Sequence, residues 1–308
     1  MKQRVTRIAP SPTGALHIGN AFAFLINWAI ARQNNWTIIL RIEDLEGPRK
    51  KKNTIQKSID ILRWLEIDWD GDYILQSSEL QHSKDVLDAL INNNRAYHCD
   101  LSRKEIEEVA QAPHNTNSIS KGIRPKDIQK HNQKIISTDT NWRFVVEPSS
   151  FIVKDMCCEE TLQTVDHDFV IWTKANSPSY QLAVVVDDYR QGVTDVIRGN
   201  DLYHSAALQT QLYEALGWKP PTWWHLPLIL GPDGKRLAKR HGDSRIETYR
   251  NKSVSPEKII GLIAVWCSIQ KDLAEMDAFT FCQTLDVPSI KKENKIFTRE
   301  NEKWLLDS

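Results

Sequence analysis

The chain has 308 residues, with Lys+Arg and Asp+Glu both at 40 and a formal net charge of zero. Hydrophobic residues at 41% and charged residues at 26% are ordinary globular usage, which excludes wholesale disorder, collagen and coiled coil. The balanced charge excludes the uniformly basic field of a nucleic-acid coat protein, though not a local basic face. The five cysteines (Cys99, Cys157, Cys158, Cys267, Cys282) include no CxxC pair. Such usage argues against a disulfide framework and against a zinc site of cysteines alone, and suits a reducing cytoplasm. The N-terminal MKQRVTRIAPSPTG has no apolar core of signal length, and the longest apolar run, at 21–31, is short and contains Asn27. We expect a cytoplasmic protein with no membrane partner.

In chain order, residues 4–9 read as a strand, PSPTGA as a turn, and LHIGNAFAFLINWAIARQ as a helix with Ala21, Leu25, Trp28 and Ala29 at helical spacing. WTIILRIED is a β-rich run of buried type. NTIQKSIDILRWLEI returns to a helix, with Ile55, Ile59, Leu62 and Leu65 on one side. This alternation predicts a parallel sheet. Ser77 to Asn93 reads as a further helix, and the polar stretch 112–140 as a loosely ordered loop. WRFVVEP, SFIVKDM and DFVIWTK are short β-like runs that predict an antiparallel or α+β insert. LAVVVDD and TDVIRGND read as strands, ALQTQLYEALG as a helix, and WWHLPLILGPDGKRLAKRHGD as strand, turn and basic loop. Beyond Ser255 the chain reads as mostly helical, with Ile259, Ile260, Leu262 and Ile263 packing.

Three segments carry candidate chemistry. In PSPTGALHIGN, Gly14 and Gly19 allow close backbone approach at a helix start, whose free N–H groups suit a phosphate. His17 and Asn20 there can donate to a developing phosphoryl charge. In GPDGKRLAKRHGD, Lys235, Arg236, Lys239, Arg240 and His241 concentrate positive charge on a glycine-punctuated loop, which suits departure of a pyrophosphate. In SYQLAVVVDDYRQGVTDVIRGND, Asp187 and Asp188 close an apolar run and Arg198 precedes a glycine, the kind of position that lines a ligand crevice. Each also has a bland reading, as an ordinary turn, a solvated charge run or strand-end polar residues. No P-loop, GxGxxG, HExxH or GxSxG occurs.

Taken in this order, the segments resemble class I aminoacyl-tRNA synthetases of the glutamyl type. RIAPSPTGALHIGN matches the first signature, with His17, Ile18, Gly19 and Asn20 in the HIGH position. RIED at 41–44, VVDD and VIRGND follow in family order, and KRLAK falls at the KMSKS-type loop. Only about 65 residues follow that loop, too few for an anticodon-reading domain. Val184 also stands where glutamyl-tRNA synthetases usually show Asn. The chain is therefore similar to the truncated paralogues, the glutamyl-Q tRNA(Asp) ligases.

The resemblance implies a Rossmann-like α/β catalytic domain over 1–83 and 189–231. It further implies an α+β insert over 84–188 and a small helical domain over 232–308 carrying the basic loop. It implies activation of glutamate by ATP with Mg²⁺, then transfer to queuosine in the anticodon of tRNA(Asp), by a monomer. By resemblance Arg7, Ala9, Ser11, Glu43, Tyr180 and Arg198 line the glutamate pocket, and His17, Gly19, Asn20 and Lys239 serve ATP and catalysis. Arg7 and Arg198 can grip carboxylates and Glu43 an ammonium; a mutual Glu43–Arg198 ion pair is the plain alternative. Many family members hold zinc in the insert through Cys-x-Cys, Tyr and Cys. Here Leu101 follows Cys99, so no zinc is expected, although His98, His114 and His131 are nearby substitutes. The Arg49–Lys52 run and Lys291, Lys292 and Lys295 suit tRNA phosphates as well as a solvated face. Trp218, Trp223 and Trp224 suit stacking, but core placement more. The alternatives are a minimal glutamyl-tRNA synthetase charging a 3′ end, a small-molecule nucleotidyltransferase, and a degenerate paralogue that only binds tRNA or protein.

Overall fold

The computed structural model describes residues 3–12, 16–45, 52–101, 123–133, 140–235, 237 and 244–307. Strand β1 (Val5–Ile8) runs into helix α1 (Ile18–Gln33), then β2 (Thr37–Ile42), α2 (Lys52–Trp64) and β3 (Ile74–Leu75). The three strands pair in parallel in that order. Branched residues dominate β2, which suits a strand covered on both sides. Helix α1 is buried without a break from Leu25 to Ala31, Asn27 included. The Asn27 amide is satisfied: Nδ2 donates to the Arg7 carbonyl at 3.0 Å, and Oδ1 accepts from Thr6 Oγ1 at 3.0 Å. The one polar residue of the apolar run thus bolts α1 to β1.

Helix α3 (Leu80–Asn92) leads into the insert. There β4 (Ala96–Cys99), β5 (Asn141–Phe144), β8 (Phe169–Thr173) and β9 (Ser177–Pro178) form an antiparallel sheet. A hairpin, β6 (Ser149–Ile152) and β7 (Leu162–Val165), stands beside it. The insert is antiparallel, as the sequence predicts. A short helix, α4 (Ile128–Asn132), lies inside the stretch read as loop; 112–122 and 134–139 fall outside the described residues.

LAVVVDD is a helix and not a strand: α5 spans Tyr180–Arg190. Its residues from Leu182 to Asp188 are all buried, so neither a period of two nor one of 3.6 shows in the sequence. Asp187 and Asp188 therefore sit near a helix C-terminus, where Arg190 follows. The expected boundaries at 83/84 and 188/189 fall inside α3 and α5, and these two helices pack together.

After α5 the chain returns to the parallel sheet with β10 (Asp195–Gly199). It then crosses through α6 (Tyr203–Ala215) to β11 (Thr222–Leu226), which pairs with β10 in parallel. The Thr194 N–H donates to the Val5 carbonyl at 2.9 Å, which sets β10 beside β1. The strand order is then β3-β2-β1-β10-β11, and it reverses between β1 and β10. Such a reversal opens a crevice at the carboxyl ends of the strands. On β11 the neighbours Trp223 and Trp224 are both buried and face opposite clusters of the core, as strand alternation requires. Trp218 is half-buried, stacked on Tyr189 at 3.8 Å.

Strand β12 (Ile229–Leu230) pairs in parallel with β13 (Lys295–Ile296) from the tail. The tail is helical as expected: α7 (Ile246–Asn251), α8 (Pro256–Trp266), α9 (Ala278–Thr284) and α10 (Arg299–Leu306). Ser255 caps α8, with Pro256 in its first turn. Among the described residues no helix is long and apolar enough to cross a membrane.

Candidate active site

A cleft of about 1670 Å³ opens where β1 and β10 diverge. Arg7, Ala9, Ser11, His17, Gly19, Asn20, Glu43, Tyr180 and Arg198 all line it. The described candidates for the glutamate and ATP sites are thus brought together, while Lys235 and Asp187 do not line the cleft. Lys239 and Gly14 lie outside the described residues, as do Arg236, Arg240, His241, His114 and Arg49 to Lys51.

One wall is a buried charge cluster. Arg41 is fully buried on β2; it donates from Nη1 to Asp188 Oδ1 at 2.7 Å and to Gln191 Oε1 at 3.0 Å, and from Nη2 to Glu43 Oε1 at 3.2 Å. Arg7 donates from Nε to the same Asp188 oxygen at 3.3 Å. Its two Nη groups have no partner among the described residues. Burial pushes the Glu43 carboxyl above its ordinary range, against the pull of Arg41 and Arg7. Burial acts on Asp188 in the same sense, but Arg41 and Arg7 outweigh it and hold the carboxyl low. Asp187 turns away to Gln76, at 2.8 Å, and Arg190.

Arg198 is buried and has no carboxylate partner among the described residues. Its Nε donates to His225 Nε2 at 3.0 Å, Nη1 to Gln209 Oε1 at 3.0 Å and Nη2 to the Leu202 carbonyl at 3.2 Å. All three acceptors are neutral, and burial lowers its pKa. The expected alternative, a Glu43–Arg198 ion pair, is not what forms. Tyr180, its hydroxyl pushed up by burial, lies within electrostatic reach of Arg198, Glu43 and Arg7. Arg7 and Arg41 thus share the Asp188 and Glu43 carboxylates, while Arg198 touches no carboxylate among the described residues.

The other wall is the N-terminus of α1. The His17 N–H donates to Asn20 Oδ1 at 2.9 Å, so the Asn20 amide oxygen is engaged on the helix start, and both residues line the cleft. His17 Nδ1 lies 3.1 Å from Ser244 Oγ. The backbone on both sides is stitched: Ile18 N–H donates to the Ser244 carbonyl at 3.0 Å, and Ile246 N–H to the Leu16 carbonyl at 2.9 Å. Ser244, just after the basic loop, is therefore fixed against His17, and Leu237, within the loop's KRLAK run, lines the cleft. A Cβ on Gly19 would meet nothing nearer than Ile229 Cβ at 3.8 Å, so packing does not require glycine there. At the insert end the cleft is lined by Asn141, Arg143, His167 and Lys174.

Sequence reasoning missed several members. Arg41 stands unremarked inside the RIED run, and its pairing with Asp188, itself a candidate from the sequence, is tertiary. Ser244, Gln209, His225 and Asp155 carry no local signal. Val184 is buried one turn beyond Tyr180 and does not line the cleft. Lys291 and Lys292 are exposed, while Lys295 is half-buried in β13.

The residues near Cys99 do not fit zinc. Cys99 is buried and no second sulfur follows at Leu101. His98 and His131 stack at 4.0 Å, and each lays its Nε2 on the other's backbone carbonyl, at 3.1 and 3.0 Å. That reciprocal lock ties α4 to β4 by packing and hydrogen bonds.

The family model for class I tRNA synthetases (E and Q), catalytic domain, matches residues 3–304. A glutamyl-Q tRNA(Asp) synthetase of Rhodopirellula baltica is 40% identical over 306 residues, covering 93% of this chain and 91% of that one. A glutamate–tRNA ligase of Methylobacterium sp. is 38% identical over 263 residues, covering 83% of this chain but only 55% of the ligase. Among solved structures, a glutamate tRNA ligase from Elizabethkingia meningosepticum in complex with its amino acid superposes with a TM-score of 0.82 at 24% identity. That match covers 99% of this chain and 69% of the other. A methionyl-tRNA synthetase of Mycobacterium tuberculosis shares the fold at a TM-score of 0.55.

Proposed function

The chain belongs to the class I tRNA synthetases of the glutamate and glutamine type, catalytic domain, and we propose that it activates glutamate with ATP and passes it to queuosine in the anticodon of tRNA(Asp). The observation that carries the amino-acid assignment is Arg198, a buried guanidinium on the cleft that touches no carboxylate among the described residues. Glutamate brings two carboxylates and one ammonium, and so offers an anion to Arg198, a second to Arg7 and a cation to Glu43. Glutamine would leave the guanidinium without an anionic partner, a large penalty in a buried site. The acceptor assignment draws on the Rhodopirellula relative, which is matched over nearly its full length.

In this reading Arg7, through its unpartnered Nη groups, and Arg198 grip the two carboxylates, and Glu43 takes the ammonium. An ammonium at Glu43 favours its carboxylate form, against the burial that pushes its pKa up. Tyr180 supplies a hydroxyl and an apolar wall. Ala9 and Ser11 follow β1 and bound the pocket floor. With glutamate held, its α-carboxylate oxygen attacks the α-phosphorus, and the bond from that phosphorus to the bridging oxygen breaks, releasing pyrophosphate. His17 and Asn20, at the N-terminus of α1, stabilise the charge gathering on the phosphoryl oxygens, and Gly19 keeps the approach open. Lys239 is assigned to the phosphates. His17, Gly19 and Asn20 bring no carboxylate, so Mg²⁺ entering with ATP would keep phosphate oxygens and water as ligands and would neutralise phosphate charge. A queuosine cyclopentenediol hydroxyl then attacks the acyl carbon, AMP leaves, and an ester remains. The residues do this by positioning and charge, without a covalent enzyme intermediate.

The test is transfer of labelled glutamate in the presence of ATP and Mg²⁺ to tRNA(Asp) with and without queuosine, beside tRNA(Glu). Label confined to queuosine-bearing tRNA(Asp) that survives removal of the 3′ adenosine is the expected result. Label on the 3′ end of tRNA(Glu) would replace the proposal with a minimal synthetase.

A further inference from the structure

Behind Arg198 lies a chain of buried polar groups that the reaction above does not use. Asp155 sits in a turn between β6 and β7, and its side chain is inaccessible. Its Oδ1 accepts three backbone N–H groups: Cys157 at 2.9 Å, Cys158 at 2.9 Å and His225 at 3.1 Å. Its Oδ2 faces His225 Nδ1 at 2.5 Å. The other nitrogen, His225 Nε2, faces Arg198 Nε at 3.0 Å.

The protonation of this chain follows from its ends. A guanidinium only donates, so His225 Nε2 must accept and the ring proton must sit on Nδ1, where Asp155 takes it. His225 is therefore neutral and of one tautomer. A second limb does the same for the fork: Gln181 Oε1 accepts from Gln209 Nε2 at 2.8 Å, which turns Gln209 Oε1 toward Arg198. The guanidinium also lies over the Trp223 ring at 4.8 Å. Three of its N–H groups are spent on neutral acceptors, and on the cleft side the guanidinium also meets the Tyr180 hydroxyl.

Asp155, Cys158 and His225 place ligand-type atoms within 4.8 Å of one another. Both imidazole nitrogens are already engaged, and burial pushes the Cys158 thiol up to about 12. The trio is a hydrogen-bonded brace.

Building on the assignment of Arg198 to a glutamate carboxylate, we propose that Asp155 and His225 are positioning residues for that arginine. Asp155 fixes the imidazole tautomer, and the imidazole aims the guanidinium without neutralising it. A carboxylate in place of His225 would hold Arg198 as firmly but would cancel the charge that recruits substrate.

Asp155→Asn tests the tautomer directly in the full-length protein. Three N–H donors require the amide oxygen at the Oδ1 position, so the amide nitrogen must face His225 Nδ1. His225 then carries its proton on Nε2, against the Arg198 donor. Glutamate-dependent ATP–pyrophosphate exchange should show the KM for glutamate raised about tenfold or more, with the KM for ATP unchanged. His225→Leu should match it, whereas His225→Gln, which restores an acceptor, should recover most of the affinity. In the His225→Gln background Asp155→Asn should add little, because its effect runs through the ring. If Asp155→Asn does not fold, the His225→Gln and His225→Leu pair decides alone: equal KM values for glutamate overturn the proposal. An unchanged glutamate KM in Asp155→Asn, or equal rises for glutamate and ATP, also overturns it. So does a stoichiometric divalent ion in the purified protein that is lost on Asp155→Asn. If the unaltered protein shows no glutamate-dependent exchange, the pocket assignment itself fails and the positioning role falls with it.

Discussion

Asp188→Asn probes the charge cluster most sharply, because one carboxylate serves two arginines. Its side chain is 4% exposed, as is that of Arg7, and that of Arg41 is wholly inaccessible. The Arg41 contact at 2.7 Å is a full charge-assisted hydrogen bond, and such bonds contribute about 1.5–3 kcal/mol. The Arg7 contact at 3.3 Å adds less. To these is added the cost of leaving buried guanidiniums facing Glu43 alone, which brings the expected loss to about 3–5 kcal/mol, the range for breaking a buried pair from one side. In a chain of this size that loss is roughly a 5–8 °C fall in melting temperature. The amide keeps the shape of the carboxylate, so the loss is electrostatic. Thermal and urea unfolding of the variant beside the unaltered protein, each without ligand, measures it. A loss below about 1 kcal/mol would refute the reasoning, because it would mean that water or Glu43 neutralises the cluster and that Asp188 is not its keystone.

Gly19→Ala should leave melting unchanged or slightly raised, since the added methyl meets only Ile229 at 3.8 Å and alanine favours helix; on the proposed ATP role of this turn, the KM for ATP should rise several-fold, because the methyl adds bulk to a residue that lines the cleft. Gly261→Ala should do the reverse. A Cβ there would lie 1.9 Å from the Ala274 carbonyl oxygen, so stability should fall by at least about 1–3 kcal/mol while the KM values of the remaining folded enzyme stay put. Burial holds His225 below its ordinary value, with Arg198 adding to the effect and Asp155 opposing it. Unfolded His225 takes a proton near pH 6.5, and stability rises with pH wherever the unfolded chain binds more protons. This contribution is therefore fully present above about pH 6.5 and is lost as pH falls toward the folded value. Urea midpoints between pH 7.5 and 5 should show a steeper fall for the unaltered protein than for His225→Gln.

The site was legible where chemistry lies in short runs. Arg7, His17, Glu43, Tyr180 and Arg198 each stand in a motif, and the parallel order of β1, β2 and β10 follows from alternating strand and helix patterns. The run LAVVVDD misled because burial on all sides erases the period that separates helix from strand. Its reassignment moved Asp188 from a strand end to a helix flank, and this lets it reach Arg41 and Arg7 together. Asp155 and His225 are 70 residues apart in the chain, and neither segment has a composition that asks for the other. Nothing local could have joined them.

The guanidinium of Arg198, in contact with neutral acceptors alone, has a consequence for the life of the molecule as well as for its chemistry. Without substrate this buried charge touches no carboxylate among the described residues, and a bound anion completes its shell. Ligand binding to the native state alone adds about 2.7 kcal/mol of stability at a concentration one hundred times Kd. Supply of the amino acid would then govern how often the chain opens and how fast proteases remove it. Scarcity would thin the enzyme's numbers before it slowed the turnover of any one copy.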